Sequence, residues 1–311
     1  MGTNNPIINL NASICIPTLN AGANWIGLLE SLKEQSISVL EKIIIDSGST
    51  DNTILLARRF GFKIVEINKS DFNHGKTRQQ LVDLSEESDL CIFLTQDAIL
   101  ASPDSLSNIV NVFDDPEVGM AYGRQLPHKN AKTLESHARL YNYPDENNIR
   151  SYKDKDSLGF KVFFCSNSFA AYRRTALMGV AGFPSDSIMG EDAIVAAKML
   201  KAGFKKAYVA DATVYHSHSY KLKEEFERYF DTRVFHEQNK WLIETYGKPT
   251  GEGIKFMKSE LKYVFKNDLK AVFKSTLSLG AKWLGYKAGG FYKKMPLWLV
   301  KKLSMHKFYW K

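Results

Sequence analysis

The chain contains 311 residues, of which 44% are hydrophobic and 24% charged, a composition that excludes a disordered or fibrous protein and favours a globular one. Its net charge is +8, but residues 251–311 carry 14 lysines against three acids, a net charge of +11, so the first 250 residues sum to about −3. A near-neutral body therefore carries a basic C-terminal region.

The first 13 residues lack a basic segment followed by an apolar one, and no run of 18 apolar residues occurs in the chain. We therefore expect neither a secretory signal nor a membrane-spanning helix. The three cysteines are widely spaced and form neither a disulfide framework nor a metal motif, which favours a reducing compartment. These features predict a cytoplasmic protein.

Up to residue 95, short β-branched runs alternate with helical patterns, which predicts crossover units and a parallel sheet. Apolar runs such as residues 42–46 suit strands that are covered on both faces. The predicted strands are 13–18, 42–49, 63–67 and 90–95, and the predicted helices are 25–35, 51–61 and 75–87. The first part of the chain therefore predicts an α/β fold.

Beyond residue 97 the alternation is less regular. Strands are predicted at 118–123, 167–173, 205–210 and 213–217, and helices at 103–114, 131–142, 190–202 and 222–244. Apolar residues at helical spacing, from Met257 to Phe273, predict one long amphipathic helix over 254–279. Four glycines are expected to interrupt the chain after it: Gly280, Gly285, Gly289 and Gly290.

Polar clusters follow three of the predicted strands, at residues 18–20, 46–51 and 95–97. In an open parallel sheet, ligands bind beyond the carboxyl ends of the strands, so these clusters are expected to share one edge. Asp and Ser are also common turn and capping residues, and Asp51 is expected to cap the helix that follows it. A turn role therefore stays open for each cluster alone.

The segments PTLNAG, IIDSGSTDNT, DFNHGKTR and FLTQDA, in this order and spacing, resemble the nucleotide-sugar half of a GT-A glycosyltransferase of inverting family 2. The later segments GRQLPH, FFCSNSFAAYRR, GEDAIVAAKMLKAGF, YHSHSY and LSMHKFYW resemble a branch of bacterial rhamnosyltransferases that assemble O-antigen, capsule or rhamnan. The resemblance runs from about residue 13 to the end of the chain.

The resemblance implies a GT-A fold, in which helices flank a Rossmann-like, mostly parallel central sheet. It implies a catalytic domain at residues 1–225, with a nucleotide-sugar half at about 13–125 and an acceptor half at about 126–225. A basic helical region would follow at residues 226–311.

The same resemblance implies a divalent metal, Mg²⁺ or Mn²⁺, held by Asp97 at the end of the family's D-x-D motif. The triplet here is Thr95–Gln96–Asp97, so Thr95 or Gln96 would have to replace the contact of the missing first acid. His216 is expected to complete the metal site, and His218, two residues later on an extended segment, faces the same side. A turn-capping role for Asp97 and a packing role for the histidines stay open.

Glu191 and Asp192 fall in the first turn of a predicted helix, where carboxylates complement the helix dipole. That is a sufficient structural reason for both. The resemblance implies in addition a catalytic acidic pair, in which Asp192 is the general base and Glu191 orients the acceptor or a basic side chain.

Eight residues are expected to bind the donor. Asp46 would accept a hydrogen bond from the pyrimidine imide, and Arg124, Arg173 and Arg174 could meet phosphate or serve structural roles. The full donor set that the resemblance implies is Thr18, Asn20, Asp46, Ser47, His74, Arg78, Gln96 and Arg124.

The implied reaction transfers L-rhamnose from dTDP-L-rhamnose to a hydroxyl of a lipid-linked or growing cell-surface polysaccharide. A UDP-hexose or UDP-N-acetylhexosamine donor, and a non-catalytic nucleotide-sugar or membrane-binding module, remain alternatives.

Lysines interleaved with aromatic residues predict that residues 251–311 face an anionic membrane, placing the protein peripherally at the inner face of the cell membrane. Packing on the core and a homodimer contact are alternatives. No nucleic-acid partner is expected, because no recognised binding module accompanies the charge.

Overall fold

A nine-stranded sheet lies at the centre of the computed structural model, which describes residues 10–248 and 251–311. The strands are β1 (Ala12–Thr18), β2 (Glu41–Asp46), β3 (Lys63–Glu66), β4 (Leu90–Leu94), β5 (Ile99–Leu100), β6 (Val118–Leu126), β7 (Asn148–Arg150), β8 (Phe169–Arg173) and β9 (Lys205–Tyr215). The expectation of no secretory signal concerns an N-terminal stretch that lies mostly outside the described residues.

The sheet is parallel in its N-terminal half and mixed beyond it. β3, β2, β1 and β4 lie side by side in parallel, as the crossover pattern predicted. β8 runs antiparallel to both β4 and β6, whereas β9 runs parallel to β6. Because β1, β2 and β4 point the same way, Thr18, Asp46 and Asp97 reach the same edge of the sheet.

β9 is one strand where two were predicted. Its pairing with β6 shifts register between Val209 and Thr213, so a bulge joins the two predicted runs. The short strands β5 and β7 both pair antiparallel with β9. β9 therefore delivers residues 216–218 to the sheet edge beside the end of β4.

Helices cover both faces of the sheet. Cys15 of β1 faces one buried cluster, with Val195 and Phe230, while Ile14 faces a second cluster on the other side, with Trp25. The helices are α1 (Asn24–Lys33), α2 (Thr53–Arg59), α3 (His74–Leu84), α4 (Ser105–Asn111), α5 (Thr133–Asn142), α6 (Lys155–Leu158), α7 (Arg174–Gly179), α8 (Glu191–Lys201), α9 (Leu222–Gln238), α10 (Lys240–Tyr246), α11 (Glu252–Asn267), α12 (Ala271–Gly289) and α13 (Leu297–Leu303). Among residues 10–248 and 251–311, none of these helices combines enough length and apolar character to cross a bilayer.

Two predicted long helices are each broken in the structure. The predicted helix 254–279 ends at Asn267, because Asp268 adopts an extended backbone and its carboxylate accepts a hydrogen bond of 2.9 Å from the Thr133 hydroxyl. The predicted helix 222–244 breaks at Asn239, whose side-chain amide donates to the Phe235 carbonyl at 3.0 Å. At Asn239 a short polar side chain bonds a helix carbonyl directly, whereas at Asp268 the side chain is held by a residue outside the helix.

The prediction that glycines interrupt the chain after residue 279 is wrong, because Gly280, Gly285 and Gly289 all lie within α12. α12 continues through Gly285 to Gly289. A Cβ atom at Gly285 would lie 2.2 Å from the Phe226 carbonyl oxygen, and one at Gly289 would lie 2.4 Å from that of Phe230. These glycines let the backbones of α12 and α9 approach closely. The proposed domain boundary at residues 225 and 226 falls within α9 and stays a prediction.

Candidate active site

Asp97 and two histidines form a cluster at the sheet edge. Oδ1 of Asp97 lies 3.5 Å from Nε2 of His216, and Oδ2 lies 3.7 Å from Nε2 of His218. The three ligand atoms all lie within 4.8 Å of one another. The sequence alone favoured His216, and the structure adds His218 to the same cluster.

The surroundings of the histidines favour their neutral, metal-binding form. Burial lowers the pKa of His216 to about 3 and also lowers the pKa of His218. A carboxylate with two neutral imidazoles is a donor set that fits a first-row divalent cation. Asp97, His216 and His218 could therefore hold such a cation.

Glu191 forms a buried ion pair with Arg78. Nη1 of Arg78 lies 2.9 Å from Oε1 of Glu191, and the Asn167 side-chain amide donates to the same oxygen at 3.2 Å. Burial alone would raise the pKa of Glu191, but Arg78 and His74 lower it below its ordinary value. Glu191 is therefore held as a carboxylate, and it fixes the position of the Arg78 guanidinium.

Asp192 differs electrostatically from its neighbour. Burial, and then the charge of Glu191, raise the pKa of Asp192 to about 7. Its carboxylate is oriented by two backbone N–H groups, from Ala193 at 2.8 Å and from Asn167 at 3.1 Å. A carboxyl group with a pKa near neutrality and a fixed orientation is suited to general-base chemistry.

One short segment, residues 166–168, contacts both parts of the site. Its Asn167 N–H holds Asp192, while the Ser166 hydroxyl accepts a hydrogen bond of 2.9 Å from the Gln125 amide. Oε1 of Gln125 in turn lies 2.9 Å from Nδ1 of His216. The acidic pair and the Asp97 cluster therefore flank the same three residues before β8.

Asp46 and Ser47 join the ends of β1 and β2. The fully buried Asp46 carboxylate accepts hydrogen bonds from the Thr18 hydroxyl at 2.8 Å, from the Gly48 N–H at 3.0 Å, and from both the N–H and hydroxyl of Ser49. The Ser47 hydroxyl donates to the Thr18 carbonyl at 3.0 Å. These contacts build the rim, and the expected contact of Asp46 with a pyrimidine stays a prediction.

Asn20 and Gln96 also shape this rim. Asn20 has a positive φ of 45° and accepts a hydrogen bond of 2.8 Å from the Thr50 N–H. The Gln96 amide binds both the N–H and the carbonyl of Leu19, at 2.8 and 3.1 Å. Since Gln96 is engaged, the buried Thr95 hydroxyl, which has no hydrogen-bond partner among the described residues, is the better candidate to replace the missing first acid.

Comparisons with known proteins identify the family of this chain. Residues 13–180 match the family described as Glycosyl transferase family 2. The chain is 45% identical over 302 residues to the O-antigen chain rhamnosyltransferase RfbN of Salmonella typhimurium, covering 97% of this chain and 96% of that one. It is 44% identical over 299 residues to the O-antigen chain rhamnosyltransferase WbaN of Salmonella anatum, covering 96% and 95%. The chain belongs to glycosyltransferase family 2.

Solved structures show the same fold for this glycosyltransferase. The mannosyltransferase PcManGT of Pyrobaculum calidifontis, in complex with GDP-Man and Mn²⁺, superimposes with a TM-score of 0.61 at 16% identity, covering 91% of this chain and 86% of that one. Residues 1–349 of S. aureus TarS, in complex with UDP-GlcNAc, give a TM-score of 0.52 at 12% identity and cover 92% of both chains. The predicted GT-A fold is confirmed.

His74, the first residue of α3, packs against the C-terminal segment at His306. The rings of His74 and His306 lie edge to face with centroids 5.1 Å apart, and burial lowers the pKa of His74 to about 4. The Asp231 carboxylate accepts hydrogen bonds from the N–H groups of Met305 and His306, at 2.9 and 3.0 Å. No local pattern predicts the contact between His74 and His306, because the two residues lie more than 200 positions apart in the chain. Donor contacts of His74 and Arg78 stay predictions.

Arg124 and Arg173, which were also suggested to meet phosphate, make their hydrogen bonds away from the strand-end clusters. Nε of Arg124 donates to the Tyr143 carbonyl at 3.2 Å, and no hydrogen bond or ion pair of the described residues joins Arg124 to the strand-end clusters. Arg173 donates to the Phe113 carbonyl at 2.7 Å and lies opposite Leu90, at the start of β4. The suggested phosphate role of Arg173 is therefore wrong, since it lies at the other end of the strand from Asp97.

Proposed function

We propose that this glycosyltransferase transfers L-rhamnose from dTDP-L-rhamnose to a hydroxyl group of a lipid-linked or growing cell-surface polysaccharide. The two O-antigen chain rhamnosyltransferases that match nearly the whole chain support the sugar and the class of acceptor. One observation carries the chemistry: residues 166–168 hold Asp192 on one side and, through Gln125, the His216 cluster on the other.

Asp192 performs the proton transfer in this proposal. Its carboxylate takes the proton of the acceptor hydroxyl while that oxygen forms a bond to C1 of the sugar. The bond between C1 and the diphosphate oxygen breaks, and its electron pair leaves with dTDP. Attack from the face opposite the diphosphate inverts the anomeric configuration, and no covalent enzyme intermediate is needed.

Asp97, His216 and His218 would hold a divalent cation, Mg²⁺ or Mn²⁺. When bound, the cation supplies positive charge next to the diphosphate. Arg78, whose guanidinium is fixed by its ion pair with Glu191, is a side chain of the protein that would contact the diphosphate. The residues of the rim, including Thr18 and Asp46, position the nucleoside.

The C-terminal helices offer a surface for a lipid-linked acceptor. Apolar side chains stand exposed among lysines on and between α11 and α12, most strongly Leu269 at 69% and Phe273 at 74% exposure. Lys266, Lys270 and Lys274 are interleaved with them and are also exposed. Exposed apolar groups rimmed by lysines suit an anionic membrane surface, so we place the enzyme peripherally at the inner face of the cell membrane.

A donor panel tests this function. The purified enzyme is incubated with dTDP-L-rhamnose, UDP-glucose, UDP-N-acetylglucosamine and GDP-mannose, with Mn²⁺ or with EDTA, and release of the nucleoside diphosphate is measured. We expect dTDP-L-rhamnose to be consumed fastest and only with the metal. Faster use of a UDP-sugar would change the donor, and no turnover of any sugar would favour a non-catalytic binding module.

A further inference from the structure

The C-terminal segment, residues 304–311, follows α13, and the function proposed above assigns it no role. The Asp231 carboxylate of α9 accepts hydrogen bonds from two consecutive N–H groups of this segment, those of residues 305 and 306. The Tyr309 hydroxyl donates to the carbonyl of Asp186 at 2.9 Å and accepts a hydrogen bond of 3.1 Å from the Gln238 amide. The segment is therefore fixed both on α9 and on the loop that leads into α8.

The same segment reaches the loop between β3 and α3, residues 67–73. Nζ of Lys69 in this loop lies 5.6 Å from the centre of the Phe308 ring. The loop begins at the edge where the parallel strands end, because the Ile67 N–H donates to the Asp46 carbonyl at 2.8 Å. The C-terminal segment therefore spans from α9 to the rim on which the nucleoside is proposed to bind.

His306 is linked to the acidic pair through two side chains of α3. Its ring packs edge to face on His74, with centroids 5.1 Å apart. Nδ1 of His74 lies 3.5 Å from Nη1 of Arg78, and the same Nη1 lies 2.9 Å from Oε1 of Glu191. Glu191 directly precedes Asp192, the proposed general base. His306 therefore belongs to a series of contacts that ends at the residue beside this base.

This group of side chains has hydrogen-bond donors that the protein does not use. Arg78 is only 6% exposed, yet its Nε makes no hydrogen bond within residues 10–248 and 251–311. A buried donor without a partner destabilises the fold, so Nε favours a ligand that accepts a hydrogen bond. The half-buried His306 ring packs on His74 and makes no hydrogen bond to another described residue. Both side chains are therefore available to a ligand.

Phosphate oxygens match these donors. Guanidinium and imidazole groups donate hydrogen bonds to phosphate, and such bonds are short when the partners are charged. In the proposed reaction, the diphosphate of the donor lies between the nucleoside at the Asp46 rim and the sugar beside Asp192. The loop 67–73 begins at that rim, and Arg78 contacts the neighbour of Asp192. The position of these side chains therefore fits the diphosphate better than the nucleoside.

We propose that His306 donates a hydrogen bond to the diphosphate of the bound donor, beside Arg78. Asp231 positions His306 by fixing the backbone of the C-terminal segment. This inference rests on the proposed use of dTDP-L-rhamnose and adds a donor-binding residue to it. His306 lies outside residues 13–180, the part of the chain that matches the family.

Calorimetric titration of dTDP into His306→Phe tests this assignment. The phenyl ring keeps the packing on His74 but has no N–H, so a residue with only a packing role would show no effect. The titration is done in EDTA, which removes the contribution of the metal. We expect dTDP to bind about tenfold more weakly than to the wild type, as for the loss of a hydrogen bond to a charged group. Thymidine, which has no phosphate, should bind equally to both proteins in ligand-observed NMR.

Two further variants complete the design. His306→Gln keeps an N–H donor and should recover part of the affinity for dTDP. Lys302→Ala is the control, because it removes an exposed positive charge from α13 and should bind dTDP as the wild type does.

The role of Asp231 is tested by a double-mutant cycle. Asp231→Ala should also weaken dTDP binding, and adding it to His306→Phe should cause no further loss, because Asp231 acts through His306. Thymidine binding serves as the check that each variant is folded. Additive losses would overturn the positioning role of Asp231.

The outcomes separate this inference from the proposed donor. Wild-type affinity of His306→Phe for dTDP would overturn the contact, and so would an equal loss of thymidine binding, since that indicates a disturbed nucleoside pocket. Both results leave the donor intact. Failure of the wild type to bind dTDP would overturn the proposed donor and this inference with it.

Discussion

Nδ1 of His216 lies 2.9 Å from Oε1 of Gln125, and the Arg139 guanidinium donates to that same oxygen. An amide oxygen only accepts hydrogen bonds, so the proton of the imidazole must reside on Nδ1. The lone pair on Nε2 then faces Asp97. Gln125 thereby fixes both the tautomer and the orientation in which His216 can bind a cation.

Gln125→Leu is expected to weaken Mn²⁺ binding about 10- to 100-fold, because residues that orient a metal ligand contribute on that scale. Isothermal titration of Mn²⁺ into the protein measures the change. Gln238→Leu, at an exposed position on α9, is the control and should bind as the wild type does. An unchanged affinity in Gln125→Leu would mean that His216 is not a ligand.

Asp192→Asn should lower the rate of transfer by about 10²- to 10⁴-fold, the usual contribution of a general base. Affinity for dTDP should stay the same, because the donor rim does not include this side chain. Asp186→Asn changes an exposed acid nearby and should leave transfer unaffected. Substantial turnover by Asp192→Asn would require a different base.

The rate of transfer should rise with pH through about 7, where Asp192 loses its proton. Only the ionised carboxylate accepts a proton, so below this pH the rate should fall about tenfold per unit. Glu191→Gln removes a neighbouring negative charge that raises the pKa of Asp192, so the profile should shift to lower pH. Because burial is the larger cause, the shift should be partial. A pH profile of kcat/KM checks both statements, and a flat profile between pH 5 and 8 would count against Asp192.

Gly285→Ala should destabilise the protein by about 1–3 kcal/mol, because its Cβ would overlap the Phe226 carbonyl of α9. Gly280→Ala, in the same helix, has no atom within 4 Å of the new Cβ and should stabilise the protein by about 0.5–1 kcal/mol. Urea denaturation of the two variants measures the difference. Equal effects would show that α12 does not pack closely on α9.

Replacing Leu269 and Phe273 together by serine should reduce binding to phosphatidylglycerol vesicles by at least about tenfold, because two exposed apolar side chains no longer enter the lipid. Point substitutions are needed, since deleting residues 251–311 would also remove buried groups such as Val264 and Val300. Leu55→Ser, at a 46% exposed position on α2, is the control for a vesicle sedimentation assay. If the double variant binds as before but changes oligomeric state, the surface is a dimer contact.

The sequence predicted those features that depend on neighbouring residues. The strand–helix alternation placed Thr18, Asp46 and Asp97 on one edge, because parallel strands end at the same side of a sheet. The alternation of His216 and His218 likewise predicted that both face one side, which the structure confirms. These outcomes follow from local periodicity alone.

Features that depend on distant partners could not be predicted. The break at Asp268 needs Thr133, which is 135 residues away in the chain, and the pairing of Glu191 with Arg78 spans a similar distance. Glycine usually interrupts a helix, but Gly285 lies inside α12 because the backbone of α9 packs against it. None of these partners lies among the neighbouring residues from which helices and strands are predicted.

Calorimetric titration of dTDP with Mn²⁺ or with EDTA, into the wild type and Asp97→Asn, tests the central claim most directly. We expect Mn²⁺ to tighten dTDP binding at least about tenfold in the wild type and to have no effect on Asp97→Asn, because the carboxylate holds the cation against the diphosphate. Equal dTDP affinity with Mn²⁺ and with EDTA in the wild type would contradict the claim.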